Sequence, residues 1–331
     1  MRTPDRAAVQ QRRRAPLAST VAAIVGVIVA AGLGWWLSSG SGARTPTVIV
    51  ELAVPGAAPA SPPSVAATAD LVAIEPAATR TRPRTGADGR PSWQVHARAF
   101  DPGDDRPRLA VIVTGLGLKA SATEAAIVGL PGAVTLAFSP YAEAGDRWAT
   151  LGRRHGHEVL VSLPLESADF PFEDAGPHAL VTTAPPEENL RRLEFVLGRV
   201  PDPVGVIGLM GSRFAADQDR VRPVLEVLHG RGLMYVDGTD GTERTAARLA
   251  AEIGLPRAIA DLTLDEDPSG DAIDRQLARL EAIARERAVA VAIARPYPVT
   301  LDRLAAWAET LAERDLVLAP VTAVVDIQLL P

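Results

Sequence analysis

Few residues of this chain can do hydrolytic or metal chemistry. The five histidines are His96, His155, His157, His178 and His229. His155 and His157 form the close pair, and alternate residues of a strand share a face, so two metal ligands are conceivable there. His155 falls in an Arg154-His155-Gly156 turn, which fits a turn histidine beside a capping or core one. No H-E-x-x-H or comparable metal spacing occurs. Cysteine is absent, which removes disulfides, thiolate metal sites and Cys nucleophiles. Ser212, in Met210-Gly211-Ser212-Arg213-Phe214, is a nucleophile by type but lacks a G-x-S-x-G elbow. A turn in which Arg213 pairs with an acid is the simpler reading. The cluster Asp261, Asp265, Glu266 and Asp267 lacks the D-x-D-x-D-G spacing of a calcium loop and reads as solvated loop charge. Gly115-Leu116-Gly117-Leu118-Lys119-Ala120 matches a loose dinucleotide turn. Such a site wants an acid at the end of the next strand, where Phe138-Ser139-Pro140 offers none.

These residues are spread over a repeating pattern. Short apolar runs at 109–113, 134–138, 157–163, 204–209, 233–236, 258–261, 289–294 and 316–319 read as strands. Between them 120–130, 146–154, 186–200, 221–228, 243–253, 271–287 and 301–314 read as helices. In 186–200, Leu190, Leu193, Val196 and Leu197 share one face and Glu187, Glu188, Arg191 and Arg192 lie elsewhere. Buried strands alternating with helices predict a parallel sheet. It would form either a (β/α) barrel or an open doubly wound sheet. In both, chemistry belongs in the loops after the strand C-termini.

The first third differs in kind. Residues 1–16 form a basic tail with Arg12, Arg13 and Arg14. Residues 17–37 are uncharged and mostly apolar, about the 20 residues a membrane helix needs, with Trp35 and Trp36 at the expected interface. The positive-inside rule then predicts a single-pass inner-membrane protein whose C-terminal domain is periplasmic. A signal peptide cleaved near Ser41-Gly42-Ala43 is the alternative, and the apolar run is long for one. Ala22, Gly26, Ala30 and Gly34 make a small-residue stripe through which two such helices could pair as a homodimer. Residues 38–107 are rich in Ala, Pro, Thr and Arg and read as a disordered tether, reaching roughly 45 Å as a coil. Residues 108–325 are the folded domain and 326–331 a C-terminal tail. With a net charge of −6 and 4% aromatics, the chain is a poor nucleic-acid partner.

Several phrases, in order, carry a family resemblance. They are Leu136-Ala137-Phe138-Ser139-Pro140-Tyr141, Gly156-His157-Glu158-Val159-Leu160, Leu163-Pro164-Leu165-Glu166, Gly176-Pro177-His178, Pro186-Glu187-Glu188-Asn189-Leu190 and Met210-Gly211-Ser212-Arg213-Phe214. Over residues 106–325 the chain resembles the divergent polysaccharide deacetylase family of bacterial envelope proteins. The resemblance implies a NodB-like distorted (β/α)7–8 barrel. It also implies a metal held by an Asp and two His, with a second Asp as base and a His as acid, removing an acetyl group from an amino sugar. This chain departs from that pattern at each position. Thr114-Gly115 stand for an Asp-Asp pair, Ser162 and Leu209 for histidines, and Arg295-Pro296-Tyr297 for a His-Pro-His phrase. Thr, Gly, Leu and Arg cannot substitute for the Asp and His ligands of that metal, and Arg295 puts a fixed cation beside any such ion. No cofactor is therefore expected, and a divalent metal such as zinc only if the ligands lie elsewhere.

The remaining cleft candidates are Glu166, His178, Ser212, Arg213, Asp237, Arg295 and Tyr297, with Asp240 beside them. Buried pairing of Arg213 or Arg295 with Asp237 is their structural reading. Three functions stay open. The first is a non-catalytic protein binding cell-wall glycan or an envelope protein at the barrel mouth. The second is an esterase with relocated chemistry on Glu166, His178 and Asp237. The third is a scaffold acting through tether and membrane helix.

Overall fold

The computed structural model describes residues 89–239 and 244–330, which belong to one compact unit, Ile74–Pro331. The basic tail, the anchor at 17–37, its small-residue stripe, the cleavage-site alternative, most of the tether, Asp240 and Pro331 lie outside the described residues. Among the described residues no helix is long and apolar enough to cross a membrane.

The chain runs α1 (Ser92–Val95), β1 (Arg108–Leu116), α2 (Ala120–Gly129), β2 (Thr135–Phe138), α3 (Gly145–Arg154), β3 (Val159–Leu165) and α4 (Pro186–Gly198). It continues with β4 (Gly205–Met210), α5 (Ser212–Ala216), α6 (Gln218–Gly230), β5 (Met234–Thr239), α7 (Thr245–Glu252), β6 (Arg257–Ile259) and β7 (Leu262–Thr263). Last come α8 (Gly270–Arg287), β8 (Val289–Ala294), α9 (Pro298–Glu309) and β9 (Val317–Leu318). All pairings are parallel, in the order β6-β5-β4-β3-β2-β1-β8-β7, with β9 on β1. The two ends of that order are one stretch of chain. Ala260 N–H donates to Asp237 O of β5, while Asp261 and Leu264 N–H donate to Val291 and Ile293 O of β8. This helix-flanked, curled parallel sheet fits a NodB-like (β/α) fold.

Strand residues alternate between two cores. Leu109, Val111 and Val113 pack outward under the helices, and Ala110 and Ile112 pack inward with Ala137, Leu160, Ile207, Val236 and Val291. Burial on both faces is what makes each strand read as an unbroken apolar run.

The tether ends earlier than its composition implied. Residues 89–107 are part of the domain: Trp93 and Phe100 pack against the inner core, and Trp93 N–H donates to Gly232 O at 2.9 Å. Two aromatics supply the buried area that the surrounding Arg- and Pro-rich sequence lacks. Glu158 fastens this arm. It is fully buried, accepts Arg98 N–H at 2.9 Å and takes both the N–H (3.1 Å) and the hydroxyl of Thr322. Burial pushes its carboxyl above the usual range, against those donors. Thr322→Val should cost about 1.5–3 kcal/mol in urea unfolding, the value of a hydrogen bond to a charged group. An unchanged midpoint would mean that Glu158 keeps its satisfaction without the hydroxyl.

The C-terminal tail is also fastened. Asp326 N–H donates to Arg257 O, and Gln328 spans Ile259, accepting its N–H at 2.7 Å and donating to its C=O at 2.7 Å. The side-chain amide thus completes the free edge of β6 as a neighbouring strand would.

Candidate functional site

The strands end together at the mouth, where the chemistry was expected. Thr114 is buried there, and its hydroxyl donates to Ala294 O at 3.2 Å. Gly115 follows at φ +72°. Gly117, at φ +88°, sits so close to Ala142 that a methyl on it would lie 2.4 Å from that side chain. Gly117 therefore serves close packing, and Gly115 the left-handed turn of the backbone. Ser162 Oγ is buried, with no partner among the described residues. Leu209 packs against the inner core.

Glu166, Ser212 and Arg213 come together as a clamp. Glu166 is buried, and one carboxylate oxygen accepts the N–H (2.6 Å) and hydroxyl (2.7 Å) of Thr182. Arg213 reaches the other oxygen at 3.4 Å and donates to Ala168 O at 2.9 Å. Ser212 Oγ accepts Ala168 N–H at 3.0 Å. All three hold the loop after β3 onto α5. Ser212, expected in a turn, is the first residue of that short helix, and Glu166 is the acid that Arg213 meets.

His178 and Asp237 do not join that clamp. The His178 ring stacks on Phe195 with centroids 3.6 Å apart, and the Tyr141 ring stands 6.3 Å away. Tyr141 hydroxyl accepts His178 N–H and donates to Ala175 O. Asp237 shares its strand face with Tyr235, under the helices, because Gly238 points inward at Ile207 and Ile293. Its Oδ1 accepts Thr239 N–H and hydroxyl and faces Arg244 at 3.6 Å. The expected pairing of Arg213 or Arg295 with Asp237 is corrected accordingly: Glu166 takes Arg213 and Arg244 takes Asp237. No hydrogen bond among the described residues joins any two of Glu166, His178 and Asp237.

Arg295 and Tyr297 are exposed at the end of β8, with the guanidinium 3.4 Å from the Tyr297 hydroxyl. That hydroxyl, then the charge of Asp265, raises the arginine further above its ordinary value. Asp265 is the residue that sequence reasoning missed. It was grouped with solvated loop charges, yet it is fully buried. Its Oδ2 accepts Arg295 N–H at 2.8 Å and the Thr300 hydroxyl at 2.9 Å. Asp261 is mostly buried too, accepting Val291 N–H at 2.8 Å. The usable signal was Asp261-Leu262-Thr263-Leu264-Asp265, in which the two acids flank the short strand Leu262–Thr263.

The mouth's donor set does not suit a divalent cation. Thr114, Gly115, Ser162, Leu209, Arg295 and Tyr297 offer hydroxyls, an alkyl group and a cation where carboxylate and imidazole are needed. Among the described residues no group of three or more His, Asp or Glu could hold a metal. His157 is buried, and both its ring nitrogens lie against backbone carbonyls, of Val134 and Ile127. His155 caps α3.

Known proteins resemble this chain. An uncharacterized protein of Agrobacterium tumefaciens of known crystal structure is 31% identical, with a TM-score of 0.70, over 72% of this chain and 97% of that one. The uncharacterized protein YibQ of Escherichia coli is 25% identical over 59% of this chain and 60% of its own length, so less than two thirds of that relative is spanned. An uncharacterized protein of Haemophilus influenzae is 25% identical over 62% of this chain and 72% of its own. The family described as divergent polysaccharide deacetylase matches residues 111–325. On that match, which takes in β1 through the end of the barrel, this chain belongs to the divergent polysaccharide deacetylase family.

Proposed function

We propose that this protein is a non-catalytic member of its family, anchored in the inner membrane, whose barrel mouth binds a cell-envelope glycan. The observation that carries the reading is the Arg295–Tyr297 pair, held at the mouth by buried Asp265 where the donor set does not suit a metal. A guanidinium fork suits carboxylate and hydroxyl groups of a sugar, and an exposed tyrosine ring offers a stacking face. Glu166, Ser212 and Arg213 are engaged in holding the β3 loop, which supports a binding rather than a hydrolytic role. The run at 17–37 and the basic residues before it support export with the domain outside.

Binding of soluble peptidoglycan fragments tests the reading. Arg295→Ala should weaken it roughly 10- to 100-fold, the equivalent of about 1.5–3 kcal/mol for a charge-assisted hydrogen bond, and Tyr297→Ala roughly tenfold. Equal affinity of wild type and both variants would reject the mouth as the glycan site. Zinc retained at one ion per chain after dialysis would instead return the protein to hydrolysis.

A further inference from the structure

The strands are parallel, so the loop after β3 leaves the barrel on the same face as Arg295 and Tyr297 after β8. In the order β3-β2-β1-β8 the ends of β3 and β8 lie three strand steps apart, about 14 Å along the sheet. A single sugar ring is shorter than that gap, and a chain of several rings crosses it.

The loop after β3 carries two bare rings: Phe172 is 95% accessible and Phe170 46%. Its tip is folded on itself. Phe172 N–H donates to Asp169 O at 2.8 Å, and Ser167 Oγ donates to the Glu173 carboxylate at 2.7 Å. The clamp of Ser212 and Arg213 on Ala168 fixes its base, so the rings stand on a positioned protrusion. Asp169, Glu173 and Asp174 are exposed beside them and form no ion pair among the described residues. Arg213, at the base, is held by Glu166 and Ala168 O.

This composition selects among occupants. An apolar protein surface would cover the rings but would also desolvate the unpaired carboxylates. A sugar chain meets both needs. A phenyl ring packs on the C–H face of a sugar ring, and an ionised carboxylate, which only accepts hydrogen bonds, takes them from sugar hydroxyls.

We propose that Phe170 and Phe172 form a second glycan subsite, where a chain held at Arg295 and Tyr297 stacks a further ring. The proposal rests on the reading of the mouth as a glycan site, and it makes the ligand an oligosaccharide long enough to cross that mouth. The two ends differ in charge. The acidic phenylalanine loop takes a neutral, hydroxyl-rich ring, and an acidic group of the chain goes to Arg295. With one end bound, the second contact is intramolecular, so a long chain gains affinity that a short one cannot.

Calorimetric titration of the full chain with a disaccharide and an octasaccharide cut from the same peptidoglycan strand tests this. Wild type should prefer the octasaccharide by at least about tenfold. Phe170→Ala with Phe172→Ala should reduce the preference to the few-fold that repeated units give by number alone. Phe172→Tyr keeps the ring and should keep the preference. Val128→Ala, at an exposed apolar position on α2, should keep it too. Phe172 is nearly bare, so its truncation removes no core contact, and circular dichroism checks the fold of each variant. An octasaccharide preference unchanged in the double alanine variant overturns the second subsite and leaves the mouth standing as a glycan site. The same result is expected if the loop serves a protein partner or a second copy. Equal affinity of wild type for both sugars also overturns the subsite alone. Failure of wild type to bind either sugar rejects the mouth as a glycan site, and the subsite with it.

Discussion

Gly211→Ala should destabilise the domain by about 2–5 kcal/mol. Gly211 sits at φ +75°, the left-handed region, where an alanine costs about 1–2 kcal/mol. The new methyl would also lie 2.4 Å from Leu165 Cβ and 2.9 Å from its Cδ1. Leu165 is buried on β3 and paired in register with Met210, so it cannot retreat, and overpacking adds about 1–3 kcal/mol. Met210 before it is already at φ +59°. This double left-handed turn starts α5 immediately after β4, and so aims Ser212 and Arg213 back at Ala168 and Glu166. Gly230→Ala is the control: at the end of α6 a methyl meets nothing within 4 Å, and a helical Gly→Ala should gain roughly 0.5–1 kcal/mol. Urea midpoints measure both. A Gly211→Ala midpoint equal to that of wild type would mean that the turn relaxes freely and that the glycine is not what holds the clamp.

The parts of the fold legible in the sequence were those with a long, regular burial pattern. The run 289–294 is buried on both faces and became β8, with the bounds read from it. Leu190, Leu193, Val196 and Leu197 lie on α4 as their spacing implied, with Leu193, Val196 and Leu197 in the core. Short elements escaped, because two or five residues carry no period: β7 is Leu262–Thr263, and α5 is Ser212–Ala216, read as a turn. Trp93 and Phe100 were hidden in a composition that otherwise reads as tether, since a contact with the inner core leaves no local trace. At the site, Asp237 illustrates a limit of pattern reading. A strand's ends say that a residue is near the mouth, but its face depends on parity, and that is fixed by Gly238 packing against Ile207 and Ile293 across the barrel. The acids at 261 and 265 were misread for a related reason. Charge suggested solvent, while the donors that make burial tolerable, Val291, Arg295 and Thr300, come from thirty or more residues away.

Asp265 is where stability and the proposed binding site meet, and two substitutions should separate them. Asp265→Ala leaves the Thr300 hydroxyl and Arg295 N–H without their acceptor. Thr300 is fully buried, and unsatisfied buried groups cost about 1–3 kcal/mol each, so the loss should be about 2–6 kcal/mol. Asp265→Asn keeps an oxygen for both donors and removes the charge. Burial raises the Asp265 carboxyl above its ordinary 3.8, against the opposing pull of Arg295 N–H and the Thr300 hydroxyl. A raised native value means that the folded state holds its proton more tightly than the unfolded one. The group's contribution to stability is then fully present below pH about 3.8 and lost as pH rises through the native value. Wild type should therefore gain on Asp265→Asn as pH falls toward 4, and the asparagine variant should equal or exceed wild type at pH 7. Denaturant melts of both proteins across that range, with glycan binding measured at pH 7, make the test. Asp265→Asn should keep the affinity of wild type, because Arg295 remains seated, and Asp265→Ala should lose roughly tenfold or more as residues 295–297 come free. If the asparagine variant were the less stable at neutral pH by as much as the alanine one, the negative charge itself would be holding Arg295, and the mouth would have to be understood as an ion pair.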